Sequence, residues 1–186
     1  MPSPAAGQVN PEAAPAPGPA APSLKYTGYA GFAYTGLNQV NTSRYGLIGV
    51  KLSLTRNWGK YFGLTGAIDY NKPPIESASP GNPGDPSVYT VMAAPEVHAN
   101  IYENLSGLFF GEVGAEHTGG EEMNPSTSFA GGFGGGLEYS LGSRFAVRAE
   151  GDIVGASFSF IGNTPPLSST HRTWNGRGSI GLVYHF

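Results

Sequence analysis

Read for which positions are apolar and which are polar, residues 25–186 resolve into stretches of two-residue alternation. The clearest closes the chain. From Trp174 to Phe186, the residues Trp174, Ile180, Leu182, Tyr184 and Phe186 share one parity with Gly176 and Gly178, while Asn175, Arg177, Ser179 and His185 share the other with Gly181 and Val183. A period of two marks a strand whose faces meet different surroundings. Seven further segments alternate in the same way, over 25–35, 44–57, 62–70, 88–101, 105–116, 128–141 and 144–158. Their connections are long and short in turn: Gly36–Ser43, Asn71–Ser87, 117–127 and 159–173 are long, whereas Trp58–Tyr61, Tyr102–Asn104 and Gly142–Ser143 are tight. This predicts an all-β fold, an eight-stranded antiparallel up-and-down barrel with four long loops at one end. Both termini fall at the other end, with the short turns.

Parity divides the barrel into two surfaces. One carries Phe32, Ile48, Val50, Leu52, Leu54, Leu64, Ile68, Val91, Val97, Ile101, Phe109, Val113, Phe133, Leu137, Val147, Ile153, Ile180 and Leu182. Aromatics on this parity gather near the strand ends: Tyr26, Trp58, Phe62, Tyr139, Phe145, Tyr184 and Phe186 at the turn rim, Tyr34, Tyr70, Tyr89, Phe129 and Trp174 at the loop rim. Alternation alone does not say which surface is outside. Two aromatic girdles and a long-loop, short-turn asymmetry are what a bilayer selects in a transmembrane barrel, so the apolar parity is expected to face lipid.

The opposite parity holds Lys51, Asp69, Glu96, His98, Glu112, Glu138, Arg148, Glu150, Asp152 and Arg177, an expected lumen charge network. Eight strands enclose only enough space for side chains, so these charges must pair. Equal distances from the tight turns predict Lys51–Asp69 and Glu138–Arg148 across neighbouring strands. Strands four apart face one another, which predicts Glu96–Arg177, Asp69–Arg148 and Lys51–Glu138. Six carboxylates against three cations leave at least one of Glu96, Glu112 and Glu150 to be balanced by a proton, a water or a bound cation.

Composition adds three things. Residues 1–23 are rich in Pro and Ala, carry Glu12 as their one charge and show no periodicity, so they read as a disordered or polyproline-like leader ahead of a barrel over 24–186. That leader has neither the positive n-region nor the apolar h-region of a secretory signal, as expected of a processed or re-engineered form with an added Met1. With no cysteine and a net charge of −3, the chain offers no thiolate chemistry and no basic footprint for nucleic acid.

Three motifs, Phe129-Ala-Gly-Gly-Phe-Gly-Gly-Gly-Leu-Glu-Tyr139, Phe145-Ala-Val-Arg-Ala-Glu-Gly-Asp152 and Gly181-Leu-Val-Tyr-His-Phe186, give residues 25–186 a resemblance to the OmpA/OmpX-type small outer-membrane barrels, including the opacity-protein-like group. The resemblance implies a bacterial outer-membrane location with both termini periplasmic, among outer-membrane lipid and lipopolysaccharide. It also implies insertion by the barrel-assembly machinery, with Tyr184 and Phe186 as its aromatic signal, and a role in envelope structure, adhesion or interaction with a surface partner. The peptidoglycan-binding domain of the larger members does not follow the barrel here, so wall anchoring is not carried over.

Chemical alternatives are weaker. The glycine run 131–136 lacks a following Gly-Lys-Ser/Thr and fits tight curvature or close packing better than phosphate binding. Glu116, His117, Glu121 and Glu122 could hold a divalent cation at a loop, but an exposed acidic loop is more simply solvated. A lipid-modifying enzyme would need an oriented base, but His98 reads as a member of the lumen network and His171 lies in a loop beside no obvious partner. No catalytic residue, metal or cofactor is expected. The leading reading is a non-enzymatic barrel with a plugged lumen and interacting external loops. A narrow ion-conducting porin and a soluble lipocalin-like binding barrel are the alternatives, with inward Tyr29, Tyr45, Met92 and Phe110 arguing against the pore.

Overall fold

The computed structural model describes residues 25–37, 45–74, 86–120, 125–161 and 168–186. They form eight strands: β1 (Tyr26–Leu37), β2 (Tyr45–Trp58), β3 (Phe62–Lys72), β4 (Pro86–Tyr102), β5 (Leu105–Gly120), β6 (Ser126–Ser140), β7 (Phe145–Ile161) and β8 (Ser168–His185). Each pairs antiparallel with its neighbour in sequence, and β1 pairs with β8 to close the barrel. The seam is tied at its end by reciprocal bonds: Tyr26 N donates to Phe186 O at 3.0 Å and Phe186 N to Tyr26 O at 2.9 Å. Closure leaves no edge strand with unpaired backbone groups. The β2–β3 turn reverses through Gly59, whose φ of 74° is a left-handed conformation that costs glycine no Cβ clash.

Pairing runs further toward the loop end than the alternation predicts. β5 and β6 stay in register to Thr118 and Ser126, and β7 and β8 to Ile161 and Ser168. The expected loops 117–127 and 159–173 are therefore largely strand, with connections reduced to 121–125 and 162–167. At the loop ends of β5, β6 and β8 both faces of the strand are polar, and backbone pairing continues there without the alternation that reveals it. The leader 1–23, Glu121, Glu122 and most of Asn71–Ser87 lie outside the described residues, as do the side chains of Tyr45 and His171.

The two surfaces are distributed as in a membrane barrel and not as in a soluble one. Phe32 is 78% exposed, Phe109 73% and Leu182 59%, whereas Arg148 is 1% exposed and Lys51 6%. The rest of the apolar parity is exposed on the outer wall as well, apart from half-buried Val147 and Tyr70. A lipocalin-like barrel needs the reverse, an apolar cavity and a polar exterior. Inside, apolar side chains lie toward both ends of the charges: Leu47, Val88, Met92, Ala130, Val154 and Ala156 pack at the loop end, and Tyr29, Ala146 and Val183 at the turn end. Ala94, Leu108 and Phe110 form a third group on β4 and β5.

Candidate functional site

Six lumen residues are successive register partners around the wall: Asp69, Lys51, Gly31, Gly181, Arg148 and Glu138, on β3, β2, β1, β8, β7 and β6. The two glycines separate the two cations. A Cβ on Gly31 would collide with the Tyr29 hydroxyl and the Ile180 carbonyl, and one on Gly181 with the backbone of Ala30 and Gly31. Through this gap Lys51 reaches across β1 and β8 to Glu150 at 2.7 Å, with Asp152 at 3.9 Å. Lys51 and Asp69 are register partners as expected, but the ammonium is committed to β7, and Asp69 instead meets Arg177 at 3.6 Å.

Glu138 and Arg148 pair as the turn spacing predicts. Arg148 Nε donates to Glu138 Oε2 at 2.8 Å, its Nη1 reaches Glu150 at 3.3 Å, and its guanidinium lies 5.8 Å from the centre of the Tyr29 ring. Arg177 gathers carboxylates from three strands. Its Nε donates to Asp152 at 2.6 Å, its Nη2 to Glu112, and Asp69 completes the set. The three pairs expected straight across the lumen, Glu96–Arg177, Asp69–Arg148 and Lys51–Glu138, are not formed. In a sheared barrel, residues on directly opposite strands stand at different heights, so the partners met are on the next strand (Glu138, Asp152), over the glycine gap (Glu150) or three strands away (Asp69, Glu112). Glu96 bonds His98 instead, at 2.8 Å.

Two interior residues escape the sequence reading. His185 lies between Glu138, 3.3 Å from Nε2, and Thr27, 3.1 Å from Nδ1, and so joins the network at the turn end. Its parity with Arg177 is the signal. Glu116, at the end of the expected strand 105–116 and weighed above as a loop cation ligand, belongs to β5, points inward with Glu112 and is 3% exposed. His117 follows it on the outer face, so the two cannot share an ion. Among the described residues no group of three His, Cys, Asp or Glu side chains is placed to hold a metal.

The glycine run serves this arrangement. Gly132, Gly134 and Gly136 face inward on β6, and a Cβ on any of them would strike β7 backbone and crowd Val154, Asp152 or Glu150 respectively. Their missing side chains make room for the carboxylates of the neighbouring strand, which is the close packing the sequence predicts. Among the described residues a hydroxyl–imidazole–carboxylate alignment, Thr27–His185–Glu138, is enclosed: Thr27 is 3% exposed and accepts from Asn57 at 2.9 Å, while Arg148 already holds the carboxylate. Tyr184 and Phe186 lie on the outer face at the turn rim, where Phe186 stacks on Tyr26 and on Tyr184 at 5.9 Å in each case.

The fold is that of the small eight-stranded outer-membrane barrels. Neisserial surface protein A superposes over 87% of this chain and 97% of its own with a TM-score of 0.68 at 12% identity. Ail, the attachment invasion locus protein of Yersinia pestis, matches over 87% and 97% with a TM-score of 0.55 at 17% identity. The N-terminal β-barrel domain of Pseudomonas aeruginosa OprF matches over 88% and 98% with a TM-score of 0.52 at 13% identity. No protein-family model matches the chain, and no curated protein matches it by sequence.

Proposed function

We propose that this protein is a non-enzymatic integral barrel of the bacterial outer membrane, closed to ions by its lumen network, with its turn end in the periplasm and its interactions carried by the loop end. The reading rests on one coincidence: an outer wall of exposed apolar side chains surrounds an interior where Lys51, Arg148 and Arg177 are each held by at least two carboxylates. Charges so confined are too costly to leave unpaired, and paired as they are they offer a passing ion no free counter-charge. Apolar side chains on both sides of the charged layer support closure. Tyr184 and Phe186, on an outward aromatic strand at the turn rim, are where the assembly machinery would read the chain.

Planar-bilayer recording tests the reading. The purified protein, reconstituted and showing heat-modifiable migration on a denaturing gel, is expected to be electrically silent. Large, steady, ion-selective currents would overturn the plugged lumen in favour of a porin. Solubility without detergent would overturn the membrane reading altogether.

A further inference from the structure

The outer wall is not uniform around its circumference. On the face formed by β8, β1 and β2, an apolar recess of about 740 Å³ is lined by the exposed side chains of Phe32, Tyr34, Ile48, Val50 and Ile180. Its floor is bare backbone at Gly178. A side chain there would meet nothing nearer than the Glu150 carbonyl oxygen, at 3.7 Å. The recess faces the surroundings of the belt, so on the membrane reading its filling is hydrocarbon chain.

What borders the recess narrows the choice of hydrocarbon. Gly178, Tyr34, Ile48 and Lys72 are successive register partners, which sets a lysine on the strand beside the recess wall. The next row runs from Ile180 through Phe32, Val50, Tyr70 and Tyr89 to His117. Along it the wall changes from apolar to polar and aromatic: the Tyr70 and Tyr89 rings are 4.5 Å apart, the Tyr89 and His117 rings 6.4 Å, and Lys72 Nζ is 5.6 Å from the Tyr70 ring. Thr127 occupies His117 Nδ1 at 2.7 Å and leaves Nε2 as the ring's other polar atom.

We infer that this face binds a single outer-leaflet lipid carrying an anionic phosphate, with an acyl chain in the Phe32–Ile180 recess and the phosphate against Lys72, Tyr89 and His117. The inference rests on the membrane reading above. A cation, phenol and imidazole arrayed at the loop end of an apolar slot complement a phosphate joined to a chain. A neutral lipid would fill the slot and leave the polar row unmatched.

The test uses the whole protein in phosphatidylcholine nanodiscs doped with either diphosphoryl lipid A or the same lipid stripped of its phosphates, with retained lipid counted by native mass spectrometry after detergent release. The phosphorylated form is expected to be retained about tenfold more strongly, the ratio a charge-assisted contact of about 1.4 kcal/mol gives. K72Q is expected to reduce that preference about fivefold while leaving the dephosphorylated lipid unaffected. G178L, which fills the recess without touching the polar row, should weaken retention of both forms. Equal retention of the two forms, or an undiminished preference in K72Q, would overturn the inference. Heat-modifiable migration of the same samples separates the two failures: an inserted barrel indifferent to phosphate refutes the lipid site alone, while a barrel that never inserts refutes the membrane reading beneath it.

Discussion

Arg177 and Asp152 are register partners on β8 and β7, and the guanidinium Nε donates to the carboxylate at 2.6 Å. The same side chain holds Glu112 and Asp69, so it joins four strands. Arg177→Ala leaves three desolvated carboxylates without their cation and is expected to destabilise the barrel by about 3–5 kcal/mol, read from urea unfolding in lipid. Asp152→Asn should partly restore the loss, whereas Glu96→Gln should add independently, because Glu96 is bonded to His98. Strong coupling of Arg177 to Glu96 in a double-mutant cycle would contradict the observed pairing.

Gly181 and Gly176 lie on the same strand with opposite orientations. A side chain at Gly181 meets β1 backbone, while one at Gly176 meets nothing within 4 Å. Gly181→Val is expected to abolish the compact, heat-modifiable species, since overpacking costs about 1–3 kcal/mol even where flexible side chains can yield and backbone cannot. Gly176→Ala should migrate as the unaltered protein does.

Leu52 is 46% exposed on the outer wall, and Lys51 beside it faces inward. Leu52→Phe should be tolerated. Leu52→Arg is expected to cost about 2–4 kcal/mol, as measured by unfolding from lipid vesicles, because arginine on the lipid face near midplane loses its hydration. Spin labels at 50 and 52 should respond to lipid-soluble quenchers, and one at 53 should not.

Because the chain has no cysteine, single-cysteine variants report sidedness cleanly. Asn82→Cys, between β3 and β4, is expected to react with a membrane-impermeant maleimide in intact cells. Lys60→Cys, in the β2–β3 turn, should react only after the outer membrane is permeabilised. The opposite pattern would reverse the orientation.

The barrel is legible in the sequence because a period of two forces every side chain of a strand to one surface or the other. Leu52 and Lys51 could be assigned by counting. The loop-end limits of the strands were not legible: Thr118, Thr127 and Ser169 continue the pairing where both faces are polar and no contrast marks the register. Nor were most lumen partners. Glu138–Arg148 could be read because a two-residue turn fixes it, but the reach of Lys51 to Glu150 depends on the vacancies at Gly31 and Gly181 and on the stagger of the strands, which no single segment encodes. Arg177's true partners were missed for the same reason as the reach of Lys51.

The strand that closes the barrel is also the strand that delivers Arg177. Without β8, Asp69, Glu112 and Asp152 on β3, β5 and β7 share no guanidinium. A sheet of seven strands is therefore an open ribbon with two unpaired edges and a row of repelling carboxylates on its concave side. Docking of the last strand relieves both at once, pairing β1 with β8 across most of the chain's length in sequence. Assembly of this protein should accordingly show no stable partial barrel: the meeting of its two ends and the pairing of Asp69, Glu112 and Asp152 with Arg177 are reached in the same step.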